Sequence, residues 1–306
     1  MRSDTTARAG ELRAQRVPFV HARVVLAERP TSAKPGDEAI ILADGTMEGF
    51  VGGSCAESTV RAQSLALLDS HESLLLRITA EPDVAHPGKL VVHNPCLSGG
   101  SLEIFLEPVV PAPLVVVIGD TPIADALSAI GERLGYEIAR GSGAIPHDAT
   151  AVVVASHGRG EEDALTTALG ADVSYVGLVA SRTRGRAILA TLDVCASRKA
   201  AVRTPAGLDI GATTPEEIAL SILAEIVASR PRPSGRAVPE DDSVSAHPAL
   251  EGRSGPDPRT AIDPVCGMSV AMVDASLHFD HGGTRWWFCG SGCLRAFAAS
   301  PDAYTT

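Results

Sequence analysis

Leu114-Val-Val-Val-Ile118 followed by Gly119-Asp-Thr-Pro-Ile-Ala124 decides the fold. Five consecutive apolar residues, four of them valine or isoleucine, describe a strand buried on both faces, as in a parallel sheet. Gly119 turns the chain. Thr121 then offers an N-cap oxygen, and Pro122 fits the first helical position, where no amide partner is needed. The helix runs to about Leu134 and stops at Gly135, a left-handed C-cap signal. The same strand signature returns at Ala151 to Ala155 and at Ser174 to Val179. Thr214-Pro-Glu-Glu217 is a capping box that opens a helix with Ile218, Ile222 and Ile226 on one stripe. Residues 111–230 therefore read as a βαβ series forming a Rossmann-like parallel sheet.

On the N-terminal side, residues 1–110 alternate strand patterns with one clear helix. Phe19 to Leu26, Glu38 to Leu42, Leu74 to Thr79 and Ser101 to Glu107 have strand composition. In the last of these, Leu102, Ile104 and Leu106 share one face and Glu103 and Glu107 the other. Pro108, Pro111 and Pro113 mark the boundary between the two regions. On the C-terminal side, residues 231–260 carry six prolines among Ser, Gly, Asp, Glu and Arg, the composition of a flexible linker. A compact tail follows over 261–306. The expected class is α/β, with an N-terminal α/β domain for cofactor handling, a central Rossmann-like domain and a small α+β metal-binding module.

The chain has 306 residues, 45% of them hydrophobic, and a formal net charge of -11. That charge argues against a broad nucleic-acid footprint. No apolar run reaches the roughly 20 residues of a membrane span, and no basic-then-apolar leader is present. The expectation is a cytoplasmic protein whose 6 cysteines are mostly reduced.

Two of those cysteines lie in glycine-rich loops of the first domain. In Gly52-Gly-Ser-Cys-Ala-Glu57, Ser54 and Glu57 are spaced as a capping box, which puts Cys55 in the first helical turn. Unpaired backbone amides and the helix dipole favour a thiolate there. Gly52 and Gly53 let a ligand approach the backbone. In His93-Asn-Pro-Cys-Leu-Ser-Gly-Gly100, Pro95 blocks strand pairing, and Gly99 and Gly100 expose amides suited to an anion beside Cys96. The two loops are expected to meet in space. Cys195, in Leu192-Asp-Val-Cys-Ala-Ser197, has no such setting and reads as structural.

The Gly119 turn lacks the second and third glycines of a dinucleotide fingerprint, and no acid closes the next strand near Arg140. Asp120 would also repel a pyrophosphate. Arg182 and Arg184 after the Ser174–Val179 strand suit either phosphate pairing or a solvated helix start. Asp209 either orients a ligand or holds its turn.

The tail crowds Cys266, Cys289 and Cys293 into 28 residues. Thiolates at this spacing suit zinc or copper. If a helix begins near Gly290, Cys289 and Cys293 can face one ion, with Cys266 reaching in from a preceding turn. A tetrahedral site needs a fourth donor. His281 and His278 are candidates, and Met268 or Asp263 would serve a different metal. A module this small has a thin core, so metal can contribute to its folding.

These stretches resemble the XdhC/CoxI family of accessory proteins for molybdenum hydroxylases such as xanthine and carbon monoxide dehydrogenases. The resemblance rests on Thr31-Ser-Ala-Lys-Pro-Gly36, Gly52–Glu57, Pro95–Gly100, Tyr175–Arg182 and Pro205–Leu220, and spans about residues 19 to 230. It implies a non-catalytic chaperone that transiently binds molybdenum cofactor (molybdopterin) and delivers it to an apo molybdenum hydroxylase. It also implies a cysteine desulfurase partner that supplies the terminal sulfur. Carried over by position, Cys55 and Cys96 become the residues that touch the cofactor, with Gly52, Gly53, Glu57, Gly99 and Gly100 around them. The family's richer glycine turn is here Gly119-Asp-Thr-Pro122, which weakens a nucleotide role for the central domain. The tail resembles a YHS domain, a small metal-associated module, through Asp263–Met268, Trp287–Cys293, Phe297 and Pro301–Tyr304. The metal ligands expected from the tail's own chemistry are Cys266, Cys289, Cys293 and His281. A homodimer sharing a cleft is compatible with this reading. Two rival functions are an NAD(P)-dependent oxidoreductase built on the Rossmann-like domain and a metal sensor or metallochaperone built on the tail.

Overall fold

A computed structural model describes residues 2–81, 84, 88–94, 100–141, 143–171, 173–230 and 259–305. Cys96, Gly99 and the expected linker at 231–258 lie outside the described residues. The chain forms two compact units, Met1–Pro111 with Gly235–Thr306, and Ala112–Ser234.

The first unit opens with helix α1 (Arg2–Ala14), which the sequence reading missed. Its buried contribution is Ala9 and Leu12, packed on Phe19 and Ile40, so it carries little periodic apolar signal. The strands are β1 (Phe19–Glu28), β2 (Glu38–Leu42), β3 (Met47–Gly49), β4 (Leu74–Thr79), β5 (Leu90–His93) and β6 (Ser101–Val109), with helix α2 (Ser54–Ser70) between β3 and β4. They form one mixed sheet in the order β3-β2-β1-β6-β4-β5. β1 is antiparallel to both β2 and β6, and β5 joins β4 in parallel. Alternation fixes the register: Val20 faces Ile41, and Ala22 lies between Ala39 and Leu106. Val20, Ala22, Val24, Ile78, Leu102 and Ile104 form the core against Ala56 and Val60 of α2.

Glu103 departs from simple alternation. It is nearly buried, and its Oε1 accepts hydrogen bonds from Lys89 Nζ at 2.6 Å and Arg77 Nη1 at 3.0 Å. The Lys89 bond, helped by Arg77, holds its carboxyl below the ordinary carboxylate range.

The second unit is an all-parallel sheet in the order β11-β10-β9-β7-β8. Its elements in chain order are β7 (Leu114–Ile118), α3 (Pro122–Arg133), β8 (Glu137–Arg140), β9 (Ala149–Val154), α4 (Glu161–Gly170), β10 (Tyr175–Leu178), α5 (Arg182–Thr191), α6 (Ala196–Ala201), β11 (Val202–Arg203) and α7 (Pro215–Ser229). Every β7 side chain is buried. Val115 and Val117 face Leu127 of α3 and Ile222 and Ile226 of α7. Val116 and Ile118 face Leu165 of α4 and Ile188 of α5. Two helix layers thus sandwich the sheet, the arrangement a continuous valine run requires. The expected caps form as read. Thr121 accepts from the Ala124 amide with Pro122 at the first helical position, and Thr214 with Glu217 makes a reciprocal capping box.

The tail belongs to the first unit. Hairpin β12 (Thr260–Ile262)–β13 (Ser269–Ala271) precedes hairpin β14 (Leu277–His281)–β15 (Thr284–Phe288) and helix α8 (Ser291–Ala299). Gly282 and Gly283 both take positive φ (61° and 78°) in the tight β14–β15 turn, a conformation glycine adopts without strain. Phe297 is fully buried among Phe279, Trp286, Phe288 and Tyr304, with ring centroids 5.1–6.1 Å away. The tail seats on α2. Ala271 and Val273 pack against Ala62, Leu65 and Leu68, and Arg259 pairs with Asp69 at 2.5 Å.

Replacing the buried anion tests the first sheet. Glu103→Ala takes the shared carboxylate from Arg77 and Lys89 and is expected to cost about 3 kcal/mol at neutral pH. A carboxyl held low stabilises the fold above its unfolded-state range and loses that contribution as pH falls through the folded-state value. The gap between parent and variant should therefore narrow below about pH 4. Denaturant unfolding at neutral and acid pH reads both effects.

Candidate functional site

The first thiol loop differs in detail from its sequence reading. Gly53, not Ser54, is the N-cap of α2, with φ -72° and ψ 173° and no side-chain cap. Ser54 starts the helix, so Glu57 is one position too late to close a capping box. The glycine pair supplies the turn by backbone alone: Gly52 sits at φ 142° and packs on Ala56 and Leu102. Cys55 still falls in the first helical turn, half-buried. Glu57 instead lies one turn before Arg61, whose Nε donates to the Gly45 carbonyl at 2.8 Å.

Gly100 and Gly53 differ in their surroundings. A Cβ at Gly100 would lie 2.2 Å from the Glu28 carbonyl oxygen, so its glycine answers to backbone packing at the start of β6. Gly53 has open space around it.

The structure adds a residue the sequence reading passed over. Asn94 is fully buried, and its Nδ2 donates to the Cys55 carbonyl at 3.0 Å and to Thr59 Oγ1 at 3.1 Å. Its backbone amide donates to Thr79 at 2.8 Å. Asn94 therefore fastens the entrance of the second loop to the first turn of α2. Its signal was an asparagine directly before Pro95, in the loop that carries Cys96.

In the tail, the turn after β12 folds through Asp263. Its backbone exchanges hydrogen bonds with Met268 and Gly267 at 2.7 and 2.8 Å. Its fully buried carboxylate accepts the Val265 amide at 2.9 Å through Oδ1 and the Cys289 amide at 2.9 Å through Oδ2. The second bond ties the Cys266 turn to the end of β15. Gly290 caps α8 as expected, which turns Cys293 back toward Cys289. Cys266 Sγ lies 3.5 Å and Cys293 Sγ 3.8 Å from Cys289 Sγ. One donor atom from each of Asp263, Cys266, Cys289 and Cys293 lies within 4.8 Å of the others, a group that can hold a metal ion. A three-thiolate, one-carboxylate set suits a soft ion such as Zn²⁺ or Cu(I).

His281 is not in this group. It stands 3.6 Å from Asp302 and edge-on to Phe297. His278 Nδ1 donates to the Ser276 carbonyl, 2.9 Å away. The imidazole place in the sequence reading is taken by Asp263, because β14 carries both histidines away from the thiols. Burial pushes the Cys266, Cys289 and Cys293 thiols up from the ordinary thiol value.

The turn after β7 is tight. A Cβ at Gly119 would lie 2.3 Å from the Ala155 carbonyl oxygen, so this glycine serves backbone packing. Arg140 fills the turn, donating to Gly119 at 2.9 Å and Asp125 at 3.0 Å. Arg184 is held by the buried Glu161 at 2.5 Å, and Arg182 lies 3.7 Å from Asp209. Cys195 is exposed rather than structural. It caps α6, and the Ser197 hydroxyl at 3.2 Å lowers its thiol pKa.

Fold and site define a two-unit α/β protein whose distinctive chemistry is carried by cysteines, with a cysteine-rich metal-site module at its C-terminal end. Family comparison agrees. The XdhC and CoxI family matches residues 12–79, the XdhC Rossmann domain residues 115–226, and the YHS domain residues 261–306. The chain belongs to the XdhC/CoxI family and carries a C-terminal YHS domain. It is 26% identical over 279 residues to the uncharacterized protein YqeB of Escherichia coli strain K12, covering 81% of this chain and 50% of that protein. It is 36% identical over 87 residues to a Bacillus subtilis strain 168 protein described as a probable xanthine dehydrogenase component, covering 28% of this chain and 25% of that one. The chain thus spans half the length or less of these curated relatives. A solved Bacillus halodurans chain described as a xanthine dehydrogenase is 17% identical, with a TM-score of 0.35, covering 74% of this chain and 97% of that one. No helix among the described residues is long and apolar enough to cross a membrane.

Metal should bind the tail with a pH signature. Coordination needs thiolates and releases protons, so zinc affinity is expected to rise with pH. Zinc at 100 times its Kd should add about 2.7 kcal/mol to the stability of the folded tail. Cys266→Ser should remove most of that gain. Thermal unfolding with added zinc and with chelator, alongside elemental analysis, makes the measurement.

Proposed function

We infer that the chain is an accessory factor for maturation of a xanthine dehydrogenase or carbon monoxide dehydrogenase type enzyme. It binds molybdenum cofactor transiently and assists its sulfuration or insertion. The observation that carries this reading is the Cys55 turn, which sits in a family-matched segment, opens on Gly53 and is braced by buried Asn94. Cys55 offers a soft sulfur, the donor type molybdenum and dithiolene surroundings favour. Amides of the first turn of α2 offer hydrogen bonds to the anionic oxygens of a pterin phosphate. Cys96 and Gly99 are assigned to the same role by their place in the second loop's motif. When bound, the cofactor supplies a molybdenum–dithiolene centre for the client enzyme. The chain's own residues hold it, shield it and release it.

The partners are the apo molybdenum hydroxylase and a cysteine desulfurase, with a homodimer providing a shared cleft. The chain works without a catalytic residue of its own, and metal at the tail is zinc or copper. A nicotinamide-dependent oxidoreductase fits less well, because the Gly119 turn lacks the later glycines of a dinucleotide fingerprint and β8 ends without an acid.

The test is pterin and molybdenum content after purification from cells that make the cofactor. Cys55→Ser is expected to lower cofactor retention about tenfold, the equivalent of about 1.4 kcal/mol of binding. Asn94→Ala should lower it by a smaller factor. Molybdopterin content identical to the parent chain in Cys55→Ser would sink the assignment, and bound nicotinamide would replace it with the oxidoreductase reading.

A further inference from the structure

The two sulfur sites described separately above share one cavity. A space of about 300 Å³ is lined by Ser54 and Cys55 from α2 and by Val265, Gly290, Ser291 and Cys293 from the tail. Of the tail cluster, Cys293 is the member that lines it. Cys55 lies directly over the backbone of Gly290, since a Cβ there would be 3.5 Å from Cys55 Sγ and 3.6 Å from Ser54 Oγ. Gly290 directly follows Cys289 and caps the helix that carries Cys293. A methyl group at 290 would make ordinary contact with both Cys55 and Ser54, so α2 and the start of α8 approach closely here. The seat is built rather than incidental. Ala271 and Val273 pack on Ala62 and Leu65, and Arg259 pairs with Asp69 on the same helix.

The geometry points to Cys55 as an exchange ligand for a thiophilic metal ion held by the tail. Cys55 sits in the first turn of α2 and Cys293 in the first turn of α8, and both line the cavity. An ion bound by Cys266, Cys289 and Cys293 therefore has the Cys55 sulfur on the wall of the same cavity. In the exchange, the Cys55 sulfur–metal bond forms as the Cys293 sulfur–metal bond breaks. The Cys55 thiol proton moves to the released Cys293 sulfur. Charge and atoms balance, and no electron changes hands. The ligand class is a closed-shell thiophilic cation such as Zn²⁺ or Cu(I). This inference is independent of pterin binding, because it involves a metal ion alone.

Cadmium is the probe, at one equivalent per full-length chain, read by thiolate-to-cadmium charge-transfer absorbance. Cys293→Ser should keep the three-thiolate absorbance of the parent, because Cys55 takes the vacant position. The double variant Cys55→Ser/Cys293→Ser should lose about one third of it, as three thiolates become two. The proposal is overturned if Cys293→Ser alone shows that loss, or if the double variant matches Cys293→Ser. Should Cys293→Ser fail to fold, a short bis-alkylating, thiol-reactive cross-linker on the parent chain decides. A Cys55–Cys293 pair in the peptide map supports the exchange, and Cys266–Cys289 pairs without it overturn it. Because the readout contains no pterin, its failure and the failure of the maturation role are distinguishable.

Discussion

Helix α2 is buried from two sides, and the first unit is organised around that constraint. One face, through Ala56, Val60 and Leu67, closes the core of the mixed sheet. Another, through Ala62 and Leu65, receives the tail. Small residues make this possible: Ala56, Ser58, Thr59, Ala62 and Ser64 are all buried and keep the helix slim between its neighbours. The amino end of the same helix carries Cys55. A single element thus sets the distance between the body and the tail and places a sulfur where they meet.

The regular elements were legible because they repeat simple patterns. The valine run of β7 needs helices on both faces, and it has them. β2 and β4 end where their sequence patterns end. α1 was illegible because two buried residues on a polar helix make no stripe. β5 escaped because four residues, Leu90–His93, are too short to separate from a loop without the partner strand β4. The start of α2 shifted by one residue because a glycine can cap with backbone alone, which leaves no side-chain signature.

The candidate sites were legible in their sulfur and illegible in their oxygen and nitrogen. Cysteines near glycine turns stand out in a sequence. Asp263 reads only as a donor for a different metal, because its place beside the thiols depends on two amides, at Val265 and Cys289, that chain folding brings together. Asn94 is similar, reaching 39 residues back to Cys55. Histidine drew the eye as an ordinary zinc partner, yet strand geometry points His281 at Asp302. Polar groups that complete a site are chosen by tertiary proximity, which residue spacing does not encode.

The apolar contact between the tail and α2 has a practical corollary. Cutting the chain before Arg259 would strip the cover from Ala62, Leu65 and Leu68 and leave Asp69 without its guanidinium. A shortened chain would then present a greasy stripe to water, prone to self-association. Poor behaviour of such a fragment would report the bared helix as much as the missing metal ligands, so single-residue changes within the tail separate the two roles more cleanly than deletion.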